Sequence, residues 1–76
     1  MTVRIEIDLN QRTPDNLVPA WREDADGDMA VGDTVTVFEP EDGVCAPAVV
    51  RRTFPTGRVH LQVHWPQLTD DKEGTP

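Results

Sequence analysis

Residues 3–9 alternate between apolar and polar side chains, with Val3, Ile5, Ile7 and Leu9 as the apolar set. This period of two is that of a β-strand with one buried face and one face in water. A stretch rich in turn-forming residues, 10–16, separates it from a second short apolar run, 17–21. The two runs predict an N-terminal hairpin. Because Pro19 has no N–H to donate, we expect its strand to lie at a sheet edge or at a bulge.

Three further strands are predicted, at 34–38, 46–53 and 58–65, because turn signals containing Gly, Pro and Asp separate these apolar stretches. No window of the sequence carries a helical apolar period of useful length. Five short strands with no helix to cover a flat sheet favour a small closed or nearly closed barrel, since closure removes exposed strand edges. The predicted fold is therefore all-β. Residues 1–68 are expected to form this single domain, and the acidic tail 69–76, which has no hydrophobic residue, is expected to be disordered.

The last predicted hairpin can be read at the level of register. Its apolar residues must share one face, which leaves Arg58, His60, Gln62 and His64 on the opposite, outer face. A four-residue loop at 54–57 would pair Thr53 with Arg58, Arg51 with His60, and Val49 with Gln62. The predicted core consists of Ile5, Ile7, Val37, Val50, Leu61 and Val63.

Residues 31–65 resemble the SH3-like small barrels that include Tudor and KOW-type modules. In those barrels a Gly-Asp pair opens a strand, a variable loop follows, and an Ala-x-Val strand leads into a hairpin. The matching residues are Gly32, Asp33, Val35, Val37, Ala48, Val50, Gly57, Val59, Leu61 and Val63. The resemblance implies a five-stranded SH3-like barrel, a fold that has many unrelated functions. Tudor modules that bind methylated side chains use an aromatic cage, but this chain has no tyrosine and only Trp65 near the expected end, so we do not expect such a reader.

The length and charge of the chain narrow the class of protein. It has 76 residues, 14 acidic against 7 basic side chains and a formal net charge of −7. That charge disfavours general binding to a nucleic-acid backbone. The single cysteine, Cys45, cannot form an internal disulfide, and the N-terminus has neither a long apolar run nor a basic lead-in. We therefore expect a cytoplasmic protein with no membrane association.

The positive charges of the predicted last hairpin suggest a binding surface. Residues 46–67 contain three arginines and no acid, so every acidic side chain lies elsewhere in the chain. The candidate binding residues are Arg51, Arg58, His60, Gln62, His64 and Trp65. The two histidines would add positive charge below about pH 6.5. Alternatively, this strip only faces the acidic loop 23–28 or the acidic side of the first strand and keeps the protein soluble.

Metal binding is not expected. His60 and His64 lie about 13 Å apart along an extended strand, too far to chelate one ion. The acidic segment 24–28 has alternate carboxylates like the opening of a calcium loop, but Met29 and Val35 stand where that loop needs glycine and glutamate. A solvated loop is the preferred interpretation, and weak divalent-ion binding there is left open.

We also expect no catalytic residue and no cofactor. The chain has no serine, Cys45 has no assigned histidine partner, and its carboxylates do not lie in apolar runs that would raise their pKa. The leading hypothesis is a small non-enzymatic protein-binding or adaptor module, using the outer face of the last hairpin or the edge strand 17–21.

Two alternative functions follow from the charges. An acidic mimic of nucleic acid, of a kind found in phages and mobile elements, would present carboxylates to a basic partner. Those carboxylates would be Glu6, Asp8, Asp24, Asp26, Asp28 and Asp33. A weak nucleic-acid-binding module would use Arg51, Arg52, Arg58 and Trp65.

Overall fold

The computed structural model describes residues 2–70, and these residues form strands and short turns without an α-helix. The strands are β1 Arg4–Glu6, β2 Val18–Trp21, β3 Thr34–Glu39, β4 Val44–Thr53, β5 Arg58–Val63 and β6 Thr69–Asp70. Single turns of 3-10 helix follow β2 at Arg22–Asp24 and β5 at Trp65–Gln67. The predicted all-β class is confirmed, with six strands in place of five. Within residues 2–70, no helix has the length and apolar character needed to cross a membrane.

The strands form one curled, mixed sheet, a half-barrel with the order β1-β3-β4-β5-β2. β6 pairs with the start of β4 beside this path. The two end strands, β1 and β2, approach each other because the chain that follows β2 returns to β1. An antiparallel bridge between Ile5 and Ala25 joins them at that point.

The predicted N-terminal hairpin is wrong. β1 runs parallel to β3, with Ile5 opposite Val37, whereas β2 runs antiparallel to β5, with Val18 opposite Leu61. Period-two alternation decides which side chains face the core, but it does not decide which strand is the neighbour. The segment between β1 and β2 carries the chain to the opposite end of the sheet. The expectation for Pro19 holds, because β2 is an end strand of the sheet order.

The predicted register of the last hairpin is correct on one side of a bulge and wrong on the other. Ala48 lies opposite Val63, and Val50 lies opposite Leu61, as expected. The register shifts at Arg51, so that Arg52, not Arg51, lies opposite His60. The predicted pairing of Thr53 with Arg58 is wrong for the same reason. The Phe54 N–H donates to the Arg58 carbonyl at 2.9 Å, so the loop is one residue shorter than predicted and the bulge takes up the extra residue of β4.

The core lies inside the curl of the sheet, and all six predicted core residues are buried. The predicted core list left out the fully or almost fully buried valines Val18, Val35 and Val59, although Val59 was placed on the same inward face as Leu61. Strand β5 lies between β4 and β2, so its inward side chains have apolar neighbours on both sides. Because β5 has a paired strand on each side, truncation of its inward residues is expected to be costly.

The predicted disordered tail is wrong at its first two residues. Thr69 and Asp70 form β6, opposite Cys45 and Val44 at the start of β4. The Leu68 N–H donates to the Trp65 carbonyl at 3.0 Å, and this turn brings the chain back alongside β4. Residues 71–76, the rest of the predicted tail, lie outside the described residues.

One acidic side chain, Glu39 at the end of β3, is buried, with 6% of its surface exposed. Its carboxylate accepts a hydrogen bond of 2.5 Å from the Leu9 N–H, which by itself favours the charged form. Burial and the neighbouring carboxylates of Asp42 and Asp8 oppose that bond, and together they raise the pKa of Glu39 above its ordinary value. Ionisation of Glu39 therefore lowers the free energy of unfolding.

Replacing Glu39 with glutamine is expected to stabilise the protein at pH 7, raising the Tm by roughly 2–4 °C. The amide keeps an oxygen for the Leu9 N–H and removes the repulsion from Asp42 and Asp8. Because the folded-state pKa is raised, the penalty in the wild type appears as the pH rises through that pKa and is absent below the unfolded value. The Tm difference should therefore shrink as the pH falls, which thermal unfolding at a series of pH values measures.

The control for this experiment is Glu41→Gln, which neutralises an exposed carboxylate in the adjacent turn. It should leave the Tm nearly unchanged, because an exposed surface charge contributes little. A Glu39→Gln protein no more stable than the wild type at pH 7 would show that the ionised carboxylate is not penalised.

Candidate functional site

The predicted binding residues lie in two groups, one of which is on the outer face of β4 and β5. Arg51, Arg58, Gln62 and His64 are exposed on or beside this face, and His60 is half-buried there. Trp65 belongs to the 3-10 turn after β5 and packs against the core. The structure thus brings the arginines, glutamine and histidines together and places Trp65 elsewhere.

Trp65 is covered by a residue that the sequence interpretation did not assign. The guanidinium carbon of Arg12, from the loop between β1 and β2, lies 4.3 Å from the centre of the Trp65 ring. This cation–π contact occupies a ring face that a ligand would need for stacking. Trp65 shares the inward side with the other apolar residues of the last hairpin, as expected, and so lies apart from the other candidate binding residues.

Arg51 stands at the bulge of β4, and the bulge sets the direction of its side chain. Its Nε donates a 2.6 Å hydrogen bond to Oε1 of Gln62 on β5. Arg and Gln can make this bond because both side chains lie on the outer face of neighbouring strands. The bond uses Nε, so the N–H donors of the two terminal guanidinium nitrogens are left for other partners.

Arg58, His60 and Phe54 form a small cluster at the other end of this face. Arg58 Nε donates to His60 Nε2 at 3.2 Å, and the Phe54 ring meets the His60 ring edge-on at 4.8 Å between centres. The burial of His60, followed by repulsion from Arg58 and Arg52, lowers the pKa of this imidazole, while Asp15 acts in the opposite direction. His60 therefore stays neutral to a lower pH than expected. Its Nδ1 atom is buried and has no hydrogen-bond partner within residues 2–70.

Arg52 is held by an acidic residue from outside the hairpin. Its guanidinium lies 2.8 Å from a carboxylate oxygen of Asp15, in the loop before β2. The Thr13 hydroxyl and, to a lesser extent, Arg52 lower the pKa of Asp15. Arg52, which was not part of the predicted strip, is thus paired with an acid, but not with the acids that the alternative interpretation named. That acid is Asp15, not a residue of loop 23–28, and no local signal in the sequence links it to Arg52.

A groove of about 360 Å³ crosses the outer face of β3, β4 and β5, and Gln62, the hydrogen-bond partner of Arg51, lines it. Its walls are mainly apolar, and Pro47 and Val49 of β4 lie along it. It is lined by Thr34, Pro47, Ala48, Val49, Gln62, Val63, His64 and Gln67. Sequence reasoning did not assign Pro47 and Val49, although alternation places both on the outer face of β4. The presence of these two apolar residues on a face that contacts water was the signal in the sequence that could have indicated the groove.

The acidic loop 23–28 helps to hold β1 in place. Oδ1 of Asp26 accepts a 2.8 Å hydrogen bond from the Arg4 N–H, and the Asp26 N–H donates to the Arg4 carbonyl at 3.0 Å. Asp33, after this loop, accepts from the Ala30 N–H at 2.9 Å. Within residues 2–70, no three His, Cys, Asp or Glu side chains converge as ligands for a metal ion.

Cys45 lies near the start of β4. Its cross-strand neighbours are Phe38 on β3 and Thr69 on β6, neither of which is a base. Its Sγ atom lies 3.9 Å from the Asp70 carbonyl oxygen, which is a long, weak contact.

No protein-family model matches the chain, and no curated protein or solved structure matches it either. The curled sheet is compatible with a small β-barrel. The functional inference therefore depends on the outer face and its groove.

Proposed function

We propose that this protein is a small non-enzymatic binding module that holds a segment of a partner protein on the outer face of β4 and β5. The observation that supports this function best is the groove on that face, which has mainly apolar walls and is lined by Gln62, the hydrogen-bond partner of Arg51. A concave apolar surface with a few polar groups is the usual form of a binding site. The resemblance of residues 31–65 to SH3-like barrels agrees with this proposal, since such barrels often serve as binding modules.

The groove and the arginines together define the chemistry of the partner segment. Pro47 and Val49 offer apolar contact, while the terminal nitrogens of Arg51 offer hydrogen bonds. Arginine pairs well with carboxylates because its planar donors match two oxygens at once. The partner segment should therefore carry aliphatic residues next to an aspartate or glutamate.

The structure gives less support to the two alternatives. A nucleic-acid module would need Arg52 and Trp65, but Arg52 is paired with Asp15 and Trp65 is covered by Arg12. An acidic mimic would present its carboxylates outward, yet those of Asp26 and Asp33 accept backbone N–H groups of this chain.

The test begins with selection of random dodecapeptides against the immobilised full chain. We expect enrichment of sequences that place aspartate or glutamate beside aliphatic residues. Binding of a selected peptide should weaken at least about tenfold in Arg51→Glu and in Val49→Arg, because the first reverses the charge and the second fills the groove. Fluorescence anisotropy measures this affinity, and thermal unfolding checks that each variant is folded.

The matched control is Arg22→Glu, an identical charge reversal at an exposed position in the 3-10 turn after β2. It should leave peptide binding nearly unchanged. Equal losses in Arg22→Glu and Arg51→Glu would mean that only the net charge matters, and would contradict the proposed site. Enrichment of basic peptides insensitive to both groove variants would contradict it as well.

A further inference from the structure

We propose a second interaction surface, the seam between β1 and β2, which binds an extended basic segment of a partner protein along the free edge of β2. This inference goes beyond the proposed function, because it concerns the gap between the two end strands of the sheet and a partner segment of opposite charge. β1 and β2 are the two end strands, and no strand pairing joins them within residues 2–70 except the bridge between Ile5 and Ala25.

The hydrogen bonds of β2 show which of its backbone groups face the seam. The Arg22 N–H donates to the Gly57 carbonyl at 2.7 Å, so this pair belongs to the hydrogen-bonded set of the β2–β5 ladder. In an antiparallel pair the hydrogen-bonded positions alternate, which assigns Ala20 and Val18 to the same set. The backbone groups of Pro19 and Trp21 therefore point away from β5 and into the seam.

β1 forms the facing wall, and the same alternation applies to it. The Ile7 N–H donates to the Phe38 carbonyl, and the Val3 carbonyl accepts from Thr36, so these odd-numbered residues bond β3. The backbone of Glu6 then points into the seam. Arg4 also faces this side, but Asp26 occupies both of its backbone groups. The antiparallel bridge between Ile5 and Ala25 places Glu6 opposite Asp24, so the seam is closed from Arg4 to Glu6 and open beyond Glu6.

The open part of the seam forms a groove of about 260 Å³, and the charged residues that line it indicate the chemistry of the bound segment. Three carboxylates line it, those of Glu6, Asp8 and Asp24, against the single guanidinium of Arg58. Trp21 stands beside them with 46% of its surface exposed. An acidic groove with an exposed indole suits arginine or lysine side chains, which pair with carboxylates and stack on aromatic faces.

The edge of β2 accounts for the extended conformation of the occupant. A peptide that adds a strand gains main-chain hydrogen bonds from the edge and side-chain specificity from alternate pockets. Pro19 supplies only an acceptor, whereas Trp21 supplies both a donor and an acceptor, so the edge is short. A second copy of this chain is a poorer occupant, because its Arg58 lies on β5 and its Arg51 and Arg52 lie on β4, and both edges of each of these strands are already paired.

The experiment uses the full chain and a defined probe, the acetylated and amidated hexapeptide of three Arg-Thr repeats. Titration of the 15N-labelled protein should shift the amide signal of Trp21 and slow its hydrogen exchange. The hexapeptide of three Glu-Thr repeats should not bind. A version of the Arg-Thr peptide that is N-methylated at alternate residues should bind at least about fivefold more weakly, because it lacks the donors that pair with the edge.

Neutralising two of the carboxylates that line the groove tests the role of charge. The double variant Glu6→Gln with Asp24→Asn should weaken binding of the Arg-Thr peptide about fivefold. The matched control, Asp28→Asn with Glu41→Gln, removes the same charge at exposed positions away from the groove and should bind as the wild type does. Val49→Arg should also bind the Arg-Thr peptide normally, so failure of the proposed function and failure of this inference can be told apart.

Three results would overturn the inference. Equal weakening in both double variants would show attraction to net charge alone. Unchanged affinity of the N-methylated peptide would show that no strand is added. Sedimentation showing a dimer that buries Trp21 without peptide would assign the seam to a second copy of the chain.

Discussion

Replacing Leu61 with alanine is expected to lower the free energy of unfolding by about 2–5 kcal/mol. Leu61 has no exposed surface and lies on β5, opposite Val50 on β4 and Val18 on β2. Removing its side chain leaves a cavity between three strands, and paired backbones on both sides limit how far the site can collapse. A domain of this size has a total stability of roughly 4–11 kcal/mol, so the loss is a large part of the whole. Urea denaturation followed by circular dichroism measures it.

Gln62→Ala is the matched control, one residue further along the same strand. Gln62 is exposed and accepts a hydrogen bond from Arg51 on the outer face. Because this bond is in water, its removal should cost under about 0.5 kcal/mol. Similar losses at the two positions would mean that β5 does not present its odd-numbered residues to the core.

The inward face of the last hairpin could be predicted because alternation is a local property. Val59, Leu61 and Val63 can share a buried face only if the residues between them face outward. The bulge at Arg51 was missed because β4 has no apolar and polar alternation that could reveal it: residues 44–50 are all apolar, and Arg51, Arg52 and Thr53 follow as successive polar residues. A strand can absorb one extra residue at such a place without moving an apolar side chain out of the core.

The partner of β1 could not be predicted in this way, because pairing depends on distant parts of the chain. Its alternation is equally compatible with an antiparallel neighbour and with the parallel neighbour observed, β3. The length of the connection between the first two strands argued against a hairpin, because residues 10–16 are longer than the two to five residues usual for a hairpin loop. A parallel pair needs a long crossover, which here contains β2 and loop 23–28.

The candidate site was predicted in part for a similar reason. The outward positions of Arg51, Arg58 and Gln62 follow from strand parity and are observed. Two contacts to neighbouring residues could not be predicted: Asp15 pairs with Arg52, and Arg12 covers the ring of Trp65. Both Asp15 and Arg12 lie in the loop before β2, whose position depends on the crossover that sequence reasoning missed.

The parallel pairing of β1 leads to the second large effect, an expected loss of about 2–5 kcal/mol in Ile5→Ala. Ile5 has no exposed surface and lies between Val37 of β3 and the bridge at Ala25. Truncation therefore weakens the packing of β1 on one side and the closure of the sheet on the other. Chemical denaturation gives the loss, and Glu6→Ala, next to it on the exposed face, should cost far less.

The loss of stability in Ile5→Ala does not by itself distinguish this topology from an N-terminal hairpin, since Ile5 would be buried in both. A double-mutant cycle does, because Ile5 and Val37 lie opposite each other on β1 and β3. Ile5→Ala and Val37→Ala should show a coupling energy of at least about 0.5 kcal/mol. Nuclear Overhauser contacts between the backbone protons of β1 and β3 should accompany that coupling. Independent losses in the cycle, with backbone contacts running from β1 to β2 instead, would restore the hairpin, remove the free edge of β2 and close the seam.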